Sequence, residues 1–161
     1  MNLAHVNTTF CKPAEFAPHA RSWMIWPHRD DLYGGRLPDV QREFIAVVQA
    51  IAQFEPVTVV AHPDHAGRAQ KKLTDCATVI ALPVDDFWMR DCGPSFLTGS
   101  DGSLAGVSWQ FNAWGEKHAP WAVWGVYGDA IRDMSRGLAS ARQATSRPVS
   151  KRNPIPGVGF C

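Results

Sequence analysis

The stretch VDDFWMRDCGPSFL, Val84 to Leu97, sets Asp85, Asp86 and Asp91 beside Arg90 and Trp88, between the apolar runs Val79–Leu82 and Phe96–Leu97. A carboxylate taken out of water is costly unless a cation or hydrogen-bond donors meet it. Two readings of these residues are open. In the structural one, Arg90 pairs with a neighbouring acid and the remaining aspartates cap a turn. In the functional one, the acids receive a planar cation. A guanidinium meets a carboxylate through two parallel hydrogen bonds that fix its orientation. The face of Trp88 would add a cation–π contact.

Other reactive residues form weaker patterns. Cysteines 11, 76, 92 and 161 include no C-x-x-C pair, and such sparse spacing reads as a reduced, intracellular chain. Cys92 adjoins Arg90, and a nearby cation can lower a thiol pKa, but a packed bystander is the simpler reading. His62 and His65 supply two imidazoles where a metal centre wants a third ligand, so capping or surface roles are expected and no metal. Gly34–Gly35 lacks the rest of a phosphate loop and reads as a turn.

The elements that must position these residues alternate. ARSWMIWP (20–27) is short, aromatic and stopped by Pro27, hence a strand. HRDDLYGGR (28–36) is a polar loop. Val40, Phe44, Val47, Val48 and Ile51 recur at helical spacing behind Pro38 and Asp39, predicting a helix over 38–54. PVTVVA (56–61) predicts a strand, 63–74 a second helix with Ala66, Ala69 and Leu73 inward, and ATVIALP (77–83) a buried strand. SFLT (95–98) and LAGVSWQFN (104–112) read as strands joined by the turn GSDGS. Strand, helix, strand, helix, strand is an α/β layer pattern. The acidic motif then leaves a strand end, where open α/β sheets bind ligands.

At 161 residues and 45% hydrophobic, the chain has enough sequence for a real core. Seven tryptophans point to an aromatic core or aromatic ligand walls. Residues 1–133 carry all 15 acids and 11 Lys/Arg, net −4, which gives no reason to expect nucleic acid. Residues 134–161 carry five Lys/Arg and no acid, and read as a basic, mobile tail. No secretory signal and no membrane span is evident in the sequence.

The segments WMIWP, AIAQFEPVTVV, DDFWMRDCGP and WQFNAWGEK, in this order and spacing, resemble the N-terminal part of agmatine deiminases and the related bacterial-type peptidylarginine deiminases. The resemblance covers roughly residues 14 to 124. It implies the first blades of a pentein, a five-bladed α/β propeller of ββαβ modules around a central channel. It also implies hydrolysis of agmatine to N-carbamoylputrescine and ammonia, toward putrescine, through a cysteine covalent intermediate and with no cofactor. Asp91 matches the guanidinium-binding aspartate and Trp88 an aromatic of the substrate channel. Asp85 and Asp86 match motif positions for substrate contact or support of the turn.

The resemblance also has gaps. The H-x-D-G stretch bearing the family's histidine and the G-G-x-N-I-H-C stretch bearing its nucleophile are missing from all 161 positions, and GVGFC at 157–161 does not replace the latter. The expectation is therefore a truncated, inactive, cytoplasmic chain: residues 1–133 a partial propeller domain, 134–161 a divergent tail. Open strand edges predict self-association into a homo-oligomer. Peptidylarginine specificity, or a non-catalytic guanidinium- or polyamine-binding module, are the competing readings.

Overall fold

The computed structural model describes residues 9–18, 20–107 and 158–160. The chain divides into two compact units. The larger unit, within 18–92, holds strand β2 (Ser22–Ile25), helix α1 (Leu37–Ala52), β3 (Val57–Ala61), helix α2 (Pro63–Leu73), β4 (Thr78–Ala81) and a single helical turn, α3 (Met89–Cys92). The smaller unit holds β1 (Phe10–Lys12), β5 (Ser95–Gly99), β6 (Leu104–Val107) and β7 (Val158–Phe160).

In the larger unit β2, β3 and β4 lie side by side in that order, all parallel. Parallel neighbours need long crossovers, and α1 and α2 supply them. All five residues of β3 are buried, as expected of a central parallel strand. Val57, Val59 and Ala61 join Trp26 and meet Phe44 and Val48 of α1 and Ala69 and Leu73 of α2 in one core cluster. The Trp26 and Phe44 rings meet edge to face, with centroids 5.6 Å apart. Gln41 is buried on α1, and its Nε2 donates to Pro27 O at 3.0 Å, pinning the chain as it leaves β2.

The helices start where their sequences direct. Pro38 and Asp39 occupy the first turn of α1. Pro63 opens α2, His62 Nδ1 accepts from Asp64 N–H at 3.3 Å, and Lys71 and Lys72 stand in the last turn. Capping was one of the two roles expected of His62 and His65, the other being a surface position.

In the smaller unit the order is β6-β5-β1-β7. The β5–β6 hairpin turns through Gly102 at φ 78°, and Asp101 Oδ1 accepts from Ser103 N–H at 2.9 Å. β1 pairs antiparallel with β5 and parallel with β7.

Residues 10–12 form β1 and residues 158–160 form β7, two short strands that the sequence pattern did not predict. Three expectations need correction. β4 is not fully buried: Thr78 and Ala81 are exposed, and Val79 and Ile80 are half-buried. Val47 is 49% exposed rather than part of the core. Cys11 is disulfide-bonded, a departure from the reduced set expected, whereas Cys76 is a free thiol that burial pushes above its usual pKa. The segment WQFNAWGEK and the boundary near residue 133 lie outside the described residues.

The core cluster makes a stability prediction. Leu73 is fully buried, so Leu73→Ala should cost about 2–5 kcal/mol in urea unfolding. Phe54 is 88% exposed, so Phe54→Ala should stay within about 0.5 kcal/mol. Equal costs for the two would contradict the packing described.

Candidate functional site

Three parallel strands in register release their chains at the same end of the sheet. Ile25 pairs with Val60 and Ala61 with Ala81, and the chain runs on through Trp26 N–H to Val60 O at 2.8 Å and Leu82 N–H to Ala61 O at 3.0 Å. The loop after β2 therefore brings His28, Arg29, Asp31 and Tyr33 to this end. The exit from β3 brings His62 and His65, and the exit from β4 brings Asp85, Asp86 and the motif that follows. Carboxyl ends of parallel strands are where ligands sit in open α/β sheets.

Within the motif the three aspartates differ. Asp86 is 6% exposed, and its Oδ1 accepts from Phe87 N–H at 2.7 Å. Burial pushes its carboxyl up; the Phe87 N–H and the Arg29 guanidinium pull the other way, and Asp91 adds to the rise. Asp85 and Asp91 are half-buried. Asp91 lies in α3, its N–H bonded to Trp88 O at 3.1 Å. Trp88 is 48% exposed and rests against Phe87, with ring centroids 4.4 Å apart. Phe87 in turn meets Tyr33 at 5.9 Å, which ties the motif to the loop after β2.

That loop carries the cation facing the acids. Arg29 forks onto Asp31, Nη2 to Oδ2 at 2.6 Å and Nε to Oδ1 at 3.2 Å. The hydrogen bond to Asp31 raises the Arg29 pKa, and Asp86 and Asp85 add to the rise. The same bond holds Asp31 below the usual carboxylate range. Tyr33 is pushed up to about 12 by burial and then by Asp86. The loop is shaped by a short 3₁₀ turn, Asp30–Leu32, and by Gly34 and Gly35 at φ 56° and 79°, the turn expected there.

A cavity of about 750 Å³ lies between β2 and α1 and reaches the strand-end loops at Pro27, Tyr33 and Phe87. Its walls are apolar, with Trp23, Met24, Val40, Phe44, Phe87 and Met89 among them. Asp85, Asp86, Trp88 and Asp91 do not line it. The motif's alternate side chains thus divide: Phe87 and Met89 face the cavity, and Trp88 is open to solvent. A guanidinium would meet in that cavity only Asp39 and Glu43, which already pair with Arg36 and Arg42. The candidate cation site is therefore at the strand ends.

Among the described residues no group of three or more His, Cys, Asp or Glu side chains is arranged to hold a metal ion. No helix among them is long and apolar enough to cross a membrane. The Cys92 side chain and Cys161 lie outside the described set. The sequence reading placed the acids and Trp88 together but missed Arg29, Asp31, Tyr33 and His28. The one available signal was position: all four follow the first strand of the sheet closely.

The sequence model of Porphyromonas-type peptidyl-arginine deiminases matches residues 11–144. The chain belongs to this family. An agmatine deiminase of Stutzerimonas stutzeri is 44% identical over 122 residues, 75% of this chain and 32% of its own length. One from Pseudomonas aeruginosa is 44% identical over 107 residues, 66% of this chain and 29% of its own. A solved agmatine deiminase of Enterococcus faecalis, described as catalyzing its reaction, superposes with a TM-score of 0.71 at 33% identity, over 89% of this chain and 40% of that one. The chain thus spans about a third of the length of these curated relatives. A Campylobacter jejuni agmatine deiminase with substrate bound gives a TM-score of 0.69 at 18% identity, a likeness of fold.

The buried aspartate gives a pH prediction. A carboxyl raised in the folded state stabilises it below the ordinary value of 3.8 and loses that contribution as pH rises through the raised value. Ionised Asp86 is therefore a net cost near neutrality. Asp86→Asn, which keeps an acceptor for Phe87 N–H, should gain stability relative to the parent as pH rises from about 4 to 7. Asp86→Ala should lose about 1 kcal/mol through the missing hydrogen bond. Urea midpoints at three pH values measure both, and an Asp86→Asn deficit growing with pH would contradict the burial argument.

Proposed function

We propose that this chain carries the guanidinium-gripping part of an agmatine deiminase-type hydrolase. In such an enzyme agmatine and water give N-carbamoylputrescine and ammonia. A cysteine thiolate adds to the guanidinium carbon, ammonia leaves, and water then cleaves the carbon–sulfur bond, freeing the thiol. Guanidinium is a poor electrophile because resonance spreads its charge, so orientation by carboxylates and a strong nucleophile are both needed. Asp91 is assigned the orienting carboxylate and Trp88 the aromatic face over the cation. Asp85 is assigned a further contact with substrate, and Asp86 the support of the turn that presents them. The fold proposed is the first blades of a pentein, and putrescine formation is the purpose proposed for the reaction.

The observation that carries this reading is the half-exposed Trp88 three residues before half-buried Asp91, at the carboxyl end of a parallel sheet, in a DD-x-W-x-RD-x-GP motif. The 161 residues contain neither H-x-D-G nor G-G-x-N-I-H-C. That favours the second reading for these residues by themselves: a guanidinium- or polyamine-binding module without hydrolysis. Specificity for agmatine over peptidylarginine is proposed from the relatives' names.

Two measurements test this. The purified chain should release no ammonia from agmatine; release abolished by Cys92→Ser or Cys161→Ser would overturn the division of labour. Residues 11–124 grafted in place of the matching part of the Stutzerimonas stutzeri relative should restore turnover. In that chimera Asp91→Asn should keep the fold and cost about 2–5 kcal/mol of transition-state stabilisation, as for a desolvated charge pair that loses one partner. Near-normal kcat/KM in this variant would sink the Asp91 assignment.

A further inference from the structure

The strand ends hold a second cluster that the proposed reaction does not use. His28, on the loop after β2, stacks on His62 with ring centroids 5.5 Å apart and planes 24° from parallel. It meets His65, in the first turn of α2, at 4.9 Å, and His62 and His65 lie 6.0 Å apart. Three imidazoles, one from the loop after β2 and two from the start of α2, thus form one mutual contact. His62 Nδ1 is committed as an acceptor to Asp64 N–H, so its Nε2 carries the proton in the neutral ring. That tautomer does not offer Nε2 as a metal ligand, and the cluster is not arranged to hold an ion.

We propose that His28, His62 and His65 form an acid-sensitive latch, which when neutral joins the loop of residues 26–36 to the start of α2 and when protonated releases it. Stacked neutral rings attract, whereas imidazolium ions at these separations repel. The cap that His62 Nδ1 accepts from Asp64 N–H ties the start of α2 to the cluster, and the Asp64 carboxylate stands 3.5 Å from the same nitrogen. Charged groups reach the cluster from each side. Asp64 stands on α2, Asp85 on the loop after β4, and Arg29 and Asp31 follow His28 on its own loop. Burial disfavours the charged form of His28 and His65 and His62 add to this; the Trp26 carbonyl, 3.4 Å from His28 Nδ1, and then Asp85 favour it, and the balance lies below the ordinary 6.5.

The sign follows from that balance. Folded His28 stays neutral while the opened loop takes up a proton, so the latch is fully closed above about pH 6.5 and weakens as pH falls toward the lowered value. Opening would draw Arg29 and Tyr33 away from Asp86 and Phe87, so the latch regulates the geometry of the acidic motif. The inference does not depend on the hydrolase reading.

Imidazole C2-hydrogen exchange, read by mass spectrometry on the full chain between pH 8 and 5, measures each histidine separately. His28 should titrate lower in the folded than in the urea-unfolded chain, and His65→Phe should move it upward. Backbone amide protection of residues 26–36, corrected for intrinsic pH dependence, should fall by about tenfold for each pH unit by which His28 is displaced, while β3 stays protected. In His28→Phe that loss should vanish. The latch is overturned by a His28 midpoint equal in the folded and unfolded chain, by a midpoint that His65→Phe leaves in place, or by loop protection that does not change with pH. The first and third outcomes are read on the unaltered chain and need no variant to fold.

Discussion

The parallel pairing of β2, β3 and β4 is the constraint on which everything else rests. Antiparallel strands would send alternate exits to opposite ends; parallel ones send every exit to the same end. Because Ile25, Val60 and Ala81 sit near one level, the loops bearing His28–Tyr33, His62–His65 and Asp85–Asp91 have no choice but to meet. The cost of this arrangement is a central strand with no exposed face. β3 meets it with Val57, Thr58, Val59, Val60 and Ala61, all buried, and the core they share with α1 and α2 fixes the frame.

Charge is then the second organiser. Asp31, Asp85, Asp86 and Asp91 are gathered near one end of a sheet, an arrangement that would repel itself without cations. Arg29 answers part of this from the neighbouring loop, holding Asp31 in a fork and bearing on Asp86 and Asp85 through space. Its partner Asp31 is exposed and screened, so the fork is an orienting device more than a large source of stability. A guanidinium belonging to the chain thus already rests on a carboxylate next to the motif proposed to take a guanidinium from solution.

Local pattern made much of this legible. The 3.6-residue recurrence of Val40, Phe44 and Val48 and the β-branched run of β3 placed α1 and β3 within two residues. Pro63 and His62 marked the start of α2. What escaped was set by partners distant in sequence. β1 and β7 are three residues each, too short to carry a periodicity, and exist through pairing with β5 and with one another. β4 is as apolar as a buried strand, yet Thr78 and Ala81 are open, because what covers a strand's faces is set by segments distant in sequence. Within the site, the Asp85–Asp91 motif was visible because its members are contiguous. Arg29 and His28 were not, since nothing in a polar loop states which other loop it will face.

This difference bears on how the proposed function divides. Carboxylates hold a planar cation along its edge, whereas a nucleophile must approach across its plane. The two sets of residues therefore need not come from one segment, because binding and bond-breaking draw on separate geometric sources. Asp86 illustrates the point. It is buried, bonded to the backbone of the next residue and raised in pKa, features that shape the turn whether or not a substrate is ever hydrolysed there.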